Sequence, residues 1–235
     1  MAEGNQTSIE AANLWRTAIV GVLKMQIVLA LLIFLPAGSI RFWQGWLFWI
    51  VFLALVLWIT LYFLKYDPHL IAGRVEGGPR AEQQKSQKII QTVAGALAIA
   101  LVIVPGLDYR FHRSSVPAPM VLMADALVVI SFVIVFIVFR ENSFAAGTVK
   151  VETEQRVIST GPYRYVRHPM YAGAAIGILA APLALGSLWG VAIGIALDAV
   201  IVVRLLDEER YLEANLPGYD AYRREVRCRL VPMLW

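Results

Sequence analysis

Charged residues and cysteine are both scarce in this sequence. Charged residues make up only 16% of the 235 residues, whereas apolar residues make up 59%. Soluble domains are nearer a quarter charged, so the composition argues against a soluble globule and indicates an integral membrane protein. The one cysteine, Cys228, excludes an intramolecular disulfide, and we expect no cysteine-based or other metal site. The first fourteen residues contain Glu3 and Glu10 but no basic residue, which does not fit a secretory signal peptide.

Long apolar runs dominate what is present. A helix needs roughly 20 apolar residues to cross the hydrocarbon core, and four runs satisfy this: 17–35, 44–64, 89–107 and about 119–139. The last run, 170–206, would be about 55 Å long as one helix. Pro182 and the pair Gly186-Ser187 interrupt it, so it is predicted to form a hairpin of two spans, 170–185 and 188–206. The expected fold is an all-α polytopic membrane protein of five to six transmembrane helices.

The basic residues predict how the spans are oriented. Seventeen of the 21 Lys and Arg residues share one side if the N-terminus, the 65–88 loop, the 140–169 segment and the tail lie together. Only Arg41, Arg110 and Arg113 lie on the other side. The positive-inside rule then places both termini in the cytoplasm. The 65–88 segment is predicted to be a surface loop with a helix starting near Ala81.

Two polar clusters flank the predicted hairpin, at 151–173 and 204–226. Because a hairpin returns to its starting side, both clusters must meet at the cytoplasmic face. In the first cluster, "GPYRYVRHPMYAG", Pro169 suits the first helical position and His168 the N-cap. A helix N-terminus favours an anion, and Arg167 adds donors there. Three tyrosines offer ring faces for a planar base or a cation: Tyr163, Tyr165 and Tyr171.

The second cluster is acidic. Asp207, Glu208 and Glu209 are expected at the C-terminal end of the last helix, where the helix dipole disfavours carboxylates. That placement indicates a cationic partner. Arg204 lies one turn before Glu208, on the same helix face. Asp198 lies inside the last span and is either functional or paired with another span.

The sequence from "GPYRYVRHPMYAG" through the hairpin to "EE" and a closing "Y…Y…V…VP" resembles the isoprenylcysteine carboxyl methyltransferases. More broadly, it is similar to membrane methyltransferases that include the phosphatidylethanolamine N-methyltransferases. The resemblance covers about residues 140–235. It divides the chain into four N-terminal spans, 1–140, and a motif region, 141–235.

The resemblance implies a cytoplasmic pocket for S-adenosyl-L-methionine, an acceptor for the methyl group and a role for each matching residue. Glu208, with Glu209 beside it, would hold the amino end of the cofactor, and Arg204 would contact an acceptor carboxylate. The other residues implied to line the cofactor pocket are Gln155, Val157, Ile158, Tyr163, His168, Pro169, Met170 and Tyr171.

Several functions remain open on the sequence alone. The leading prediction is methyl transfer to a lipophilic acceptor entering from the bilayer, most directly O-methylation of an isoprenylcysteine-type or other lipophilic carboxylate. A phospholipid N-methyltransferase and a thiol S-methyltransferase are the nearest alternatives. A sterol-type reductase using NADPH is a further one, although no Gly-rich phosphate loop is visible. The last is a membrane protein that binds neither cofactor. No nucleic-acid partner is expected.

Overall fold

The computed structural model describes residues 2–75, 84–145 and 156–235, and in residues 2–11 only the course of the helix. The described residues form helices and no strands, as the sequence predicts. Eight α-helices and one 3₁₀ turn, Gly161–Arg164, follow one another in this part of the chain. The α-helices are α1 Ala2–Ala37, α2 Trp43–Tyr66, α3 Pro68–Val75, α4 Lys85–Phe111, α5 Ala118–Glu141, α6 Pro169–Ala184, α7 Trp189–Asn215 and α8 Tyr219–Glu225.

Five of these helices are long and apolar enough to cross a membrane: α1 from Ala12, α2, α4, α5 and α7. The sixth predicted segment is the shorter apolar helix α6. The described chain is therefore an integral membrane protein with the predicted hairpin at its C-terminal end. Within the bundle α6 packs on α5, and α7 packs on α4, which also contacts α1.

The first span does not end at the proline that follows its apolar run. Pro36 lies inside α1, which continues to Ala37. The following Gly38 adopts φ 62°, and its N–H donates to the Phe34 carbonyl at 3.0 Å. A left-handed glycine is a common way to end a helix, so Gly38 sets the end of α1.

The prediction of a surface loop at 65–88 is wrong for residues 68–75, which form helix α3. Asp67 and Pro68 provide an N-cap and a first helical residue, and the Leu70 N–H donates to Asp67 Oδ1 at 3.2 Å. Leu70 and Ile71 are then buried against α1, α2 and α5, in a core shared with Phe63. Residues 68–75 are thus a packed element. The predicted helix start near Ala81 lies outside the described residues, and α4 begins at Lys85.

Three loops meet at one end of the bundle. The hairpin turn is made by Gly186, at φ 72°, and by Ser187, which donates a hydrogen bond to Asp108 at the end of α4. Ser114, in the next loop, also donates to Asp108, at 2.6 Å. Gly186 in turn lies close to Gln44 at the start of α2. The polar clusters that flank the hairpin are therefore left at the opposite end.

Candidate functional site

Tyr171 joins the two polar clusters. Its hydroxyl, on the first turns of α6, donates to Glu208 Oε2 at 2.5 Å and accepts from Arg204 Nε at 3.0 Å. Arg204 and Glu208 lie four residues apart on α7, so both reach the same side of that helix. The hairpin therefore brings the "RHPMY" stretch and the acidic run together at one end of the bundle.

Glu209 faces the other way and forms a buried ionic network. Its carboxylate accepts from Arg167 Nε at 2.7 Å and from Arg229 Nε at 2.9 Å, and His168 Nε2 lies 3.2 Å from it. Arg167 also donates from Nη1 to the carbonyls of Val226 and Arg227. This network holds the segment 226–229 against the start of α6.

A cleft opens beside Tyr171, on the side that Glu208 faces. It encloses about 120 Å³, and about 870 Å³ with its open mouth. Nine of the predicted site residues line it: Val157, Ile158, Tyr163, His168, Pro169, Met170, Tyr171, Arg204 and Glu208. One wall thus comes from α6 and the residues before it, and the other comes from α7.

Two residues that were predicted to bind the cofactor are not among the nine that line the cleft, Gln155 and Glu209. Gln155 lies outside the described residues. Glu209 is buried in the ionic network and is not part of the described lining of the cleft. Direct contact between Glu209 and a ligand is therefore not supported, and its role is to fix the wall beside Glu208.

Other sequence expectations need the same kind of correction. Helix α7 continues to Asn215, so the acidic run lies well before its end and the helix dipole does not explain these carboxylates. Asp207 accepts hydrogen bonds from Ser86 and Gln87 of α4, so its carboxylate links α7 to α4. Tyr165 is exposed and is not among the described lining residues. Arg167 lines the cleft, but its Nε donates to Glu209 and its Nη1 to the tail, so these two groups are already engaged.

The start of α6 agrees with the prediction in part. His168 is the N-cap and Pro169 opens the helix. The His168 side chain does not cap the helix, because it is turned toward Glu209 and stacked on Tyr171 with ring centroids 5.7 Å apart. The helix start borders the cleft through four consecutive lining residues, His168, Pro169, Met170 and Tyr171.

The tyrosines around the cleft are held in their neutral form. Burial raises the pKa of Tyr163 to about 12, and its hydroxyl accepts from Asn142 Nδ2 at 2.9 Å. Burial also raises the pKa values of Tyr219 and Tyr222 above the ordinary range. These three phenols supply ring faces and hydrogen bonds, and they are poorly suited to act as general bases near neutral pH.

The sequence prediction missed five residues of the cleft: Asn142, Phe144, Ala145, Leu212 and Leu216. Arg156, within the predicted stretch 155–158, and Tyr219 and Tyr222, within the second polar cluster, also line the cleft. The three-residue spacing of Tyr219 and Tyr222 on α8 is a visible signal for a shared helix face. No comparable pattern marks the cleft residues Asn142, Phe144 and Ala145. They lie at and beyond the C-cap of α5, where the helical spacing no longer applies.

Comparison with known families agrees with this location. Residues 119–217 match the family model described as phospholipid methyltransferase. The matched segment runs from α5 through α7 and so contains both helical walls of the cleft. The matching family is related to the isoprenylcysteine carboxyl methyltransferases, and the match leaves the acceptor undetermined. It is not consistent with the nicotinamide-dependent reductase considered above. No curated protein matches the chain.

Proposed function

We propose that this protein transfers a methyl group from S-adenosyl-L-methionine to a lipophilic acceptor, with its cleft on the cytoplasmic side of the membrane. The observation that carries the proposal is the Glu208–Tyr171–Arg204 arrangement, which places a carboxylate and a guanidinium on one phenol hydroxyl. The arrangement lies at the end of a membrane bundle, inside the segment that matches a methyltransferase family.

The residues of the cleft suit the chemistry of that cofactor. Glu208 would hold its ammonium group, and Tyr163, Tyr219 and Tyr222 offer ring faces for the base and the sulfonium. Arg156 would hold its carboxylate, beside the N-terminus of α6. The enclosed volume of about 120 Å³ is smaller than that of typical ligand sites, roughly 300–1,000 Å³. The ligand would therefore also occupy the open mouth of the cleft.

Positioning is the main contribution of the protein to this reaction. When bound, the cofactor supplies an electrophilic methyl group on a positively charged sulfur. The chain's own part is to hold an acceptor nucleophile in line with that group, and such alignment can give effective molarities of ~10⁵ M or more. Arg204 would orient an anionic acceptor through the planar fork of its guanidinium.

The acceptor that we favour is a lipophilic carboxylate, of the isoprenylcysteine type or another kind. Arg204 supports this choice, because a neutral amine gains nothing from a neighbouring arginine. Phospholipid N-methylation is the second candidate, and the description of the matching family favours it. Methyl label that alkali releases as volatile methanol indicates a methyl ester, whereas label that stays non-volatile after alkali indicates an amine or a thioether.

Glu208→Gln tests the proposed cofactor site. Titration of the purified protein with S-adenosylhomocysteine is expected to show binding that is at least about tenfold weaker in the variant, because a charge-assisted hydrogen bond is lost. Glu213→Gln is the matched control, since Glu213 lies on the same helix and pairs with Arg223 away from the cleft. Equal affinity in wild type and Glu208→Gln would remove Glu208 from the site, and no binding by the wild-type protein would refute the proposed function.

A further inference from the structure

A second and larger cavity lies among the membrane helices. It encloses about 700 Å³, within the size range of small-molecule sites. Its described lining is apolar except for Thr60, Ser131 and Arg74. On α1 the lining runs from Ala18 to Leu29, a distance of about 16 Å at the rise of a helix. That is about half of the roughly 30 Å hydrocarbon core, so the cavity has the depth of one lipid leaflet.

Arg74 places a cation at one end of this apolar space. It lies in the last turn of α3, and its guanidinium stacks over Phe139 at 4.5 Å. Arg74 is exposed by surface area and is one of the residues that line the cavity. Its guanidinium, which stays charged, is therefore accessible to a ligand.

The contacts of Arg74 leave capacity for an anion. One of its five N–H donors is used on the Ala145 carbonyl, at 3.1 Å. Within residues 12–75, 84–145 and 156–235, no carboxylate forms an ion pair with it. The planar fork of an accessible guanidinium matches a carboxylate or a phosphate through paired, charge-assisted hydrogen bonds. The arrangement therefore favours a ligand that carries a negative charge next to an apolar chain.

Arg74 also lies where the cavity and the cleft adjoin. Ala145, its hydrogen-bond acceptor, lines the cleft, whereas Phe139, its stacking partner, lines the cavity. Tyr171 in the wall of the cleft is close enough to interact electrostatically with Arg74. A molecule with its chain in the cavity would thus present its head at the wall that carries Arg204 and Glu208.

We propose that this cavity holds the apolar chain of the methyl acceptor, and that Arg74 binds an anionic group, a carboxylate or a phosphate, on the head of that acceptor. This proposal rests on the proposed function and specifies its substrate class. The acceptor is an anionic amphiphile, and Arg74 is a residue that determines specificity.

Lipids that share one chain and differ only in the head group test the proposal. Oleate, oleyl phosphate and oleyl alcohol are titrated onto the purified full chain in neutral detergent, and bound lipid is measured by native mass spectrometry. The wild-type protein is expected to bind oleate or oleyl phosphate about tenfold or more tightly than the alcohol, because an ionic hydrogen bond is added. Whichever anion binds better identifies the carboxylate or the phosphate as the natural head group.

Arg74→Gln is expected to abolish the preference for the anionic lipid, and Arg74→Lys to retain part of it, since Lys keeps the charge without the fork. Arg110→Gln is the matched control, because Arg110 also lies over an aromatic ring, that of Phe111, near the hairpin-turn end of the bundle. An absent preference in the wild type, or one that persists in Arg74→Gln, would overturn the assignment of Arg74.

Gly21→Leu tests whether the chain lies in the cavity. Gly21 lines the cavity, and a Cβ added there has no heavy atom within 4 Å, so a leucine would fill space that the lipid needs. All three lipids should bind about tenfold more weakly. Gly95→Leu is the matched control, since Gly95 also has open space around an added Cβ and is not among the described cavity residues. Unchanged binding in Gly21→Leu would place the chain elsewhere.

Binding of S-adenosylhomocysteine, measured in the same samples, separates this proposal from the proposed function. Nucleoside binding without any anionic preference refutes only the role of Arg74. An anionic preference without nucleoside binding supports the lipid site and refutes the methyltransferase.

Discussion

At the scale of single residues, the most informative feature is the difference between two adjacent glutamates. Neighbouring positions on a helix point about 100° apart, so Glu208 and Glu209 cannot share an environment. Glu208 contacts Tyr171 and lines the cleft. Glu209 is buried among Arg167, His168 and Arg229. Glu208 is therefore placed to contact a ligand in the cleft, whereas Glu209 stabilises the wall that carries Glu208.

This difference predicts losses of stability of different size for the two isosteric substitutions. Glu209→Gln removes the charge that compensates two arginines, and breaking a buried ion pair in this way costs about 3 kcal/mol or more. Glu208→Gln should cost only about 1 kcal/mol, the loss of one hydrogen bond. Unfolding in detergent, followed by circular dichroism, measures both. Equal losses of stability would contradict the division of roles.

Sequence reasoning could place most of the site but could not separate these roles. Arg204 and Glu208 are four residues apart, and that spacing alone predicts a shared helix face. Which face of α7 meets α6 depends on packing between helices, and no local pattern encodes it. The burial of Glu209 and the position of Arg74 beside the cavity both depend on contacts between distant segments, so no local pattern predicts either.

At the scale of elements, the hairpin α6–α7 determines whether the site exists. Its arms carry Tyr171 and Glu208, and they approach most closely near the turn. A Cβ added to Gly190 would lie 2.6 Å from Pro182 Cβ and 3.2 Å from Pro105 Cγ. Contacts that short require a backbone shift. The close approach of the two arms therefore depends on a residue without a side chain.

Gly190→Ala should accordingly destabilise the protein by about 1–3 kcal/mol, the usual cost of overpacking. Gly95→Ala is the control, because a Cβ there meets no heavy atom within 4 Å. Alanine favours helix over glycine by about 1 kcal/mol, so the control should be neutral or slightly more stable. Thermal unfolding of the two variants in the same detergent compares them. A stable Gly190→Ala variant would show that the arms can separate without cost.

Most helices were predictable because their apolar runs have the length of a membrane span. The short helix α3 was not, since eight residues carry too little periodicity to identify a helix, although Asp67 and Pro68 are a recognisable start. The length of α7 was underestimated for another reason. The part of α7 beyond the predicted end at 206, residues 207–215, is mostly polar. Asp207 is stabilised there by Ser86 and Gln87 of α4 rather than by lipid.

At the scale of the whole molecule, the described chain has two sites of different polarity. The cleft at the end of the bundle suits a water-soluble, charged ligand, and the cavity among the helices suits an apolar chain. Arg74 and Tyr171 lie where they adjoin. A protein built in this way can bring together reactants from water and from the bilayer, which supports methyl transfer to a lipid more than transfer to a soluble acceptor.

The distribution of basic residues predicts the orientation in the membrane, and two single-cysteine variants test that prediction. In a Cys228→Ser background, Leu234→Cys marks the tail and Ile40→Cys marks the loop between α1 and α2. Both positions are highly exposed, at 81% and 77%, so a difference in labelling cannot be attributed to burial. The positive-inside rule places the tail in the cytoplasm and the loop outside.

A membrane-impermeant maleimide applied to intact cells should therefore label Ile40→Cys and leave Leu234→Cys unlabelled until the membrane is permeabilised. The reverse pattern would place the cleft outside the cytoplasm, away from a cytoplasmic supply of S-adenosylmethionine. Labelling of both variants in intact cells would mean that the tail and the first loop share a side. Six crossings cannot give that result, because five of them separate these two positions, and α6 would then not cross the membrane.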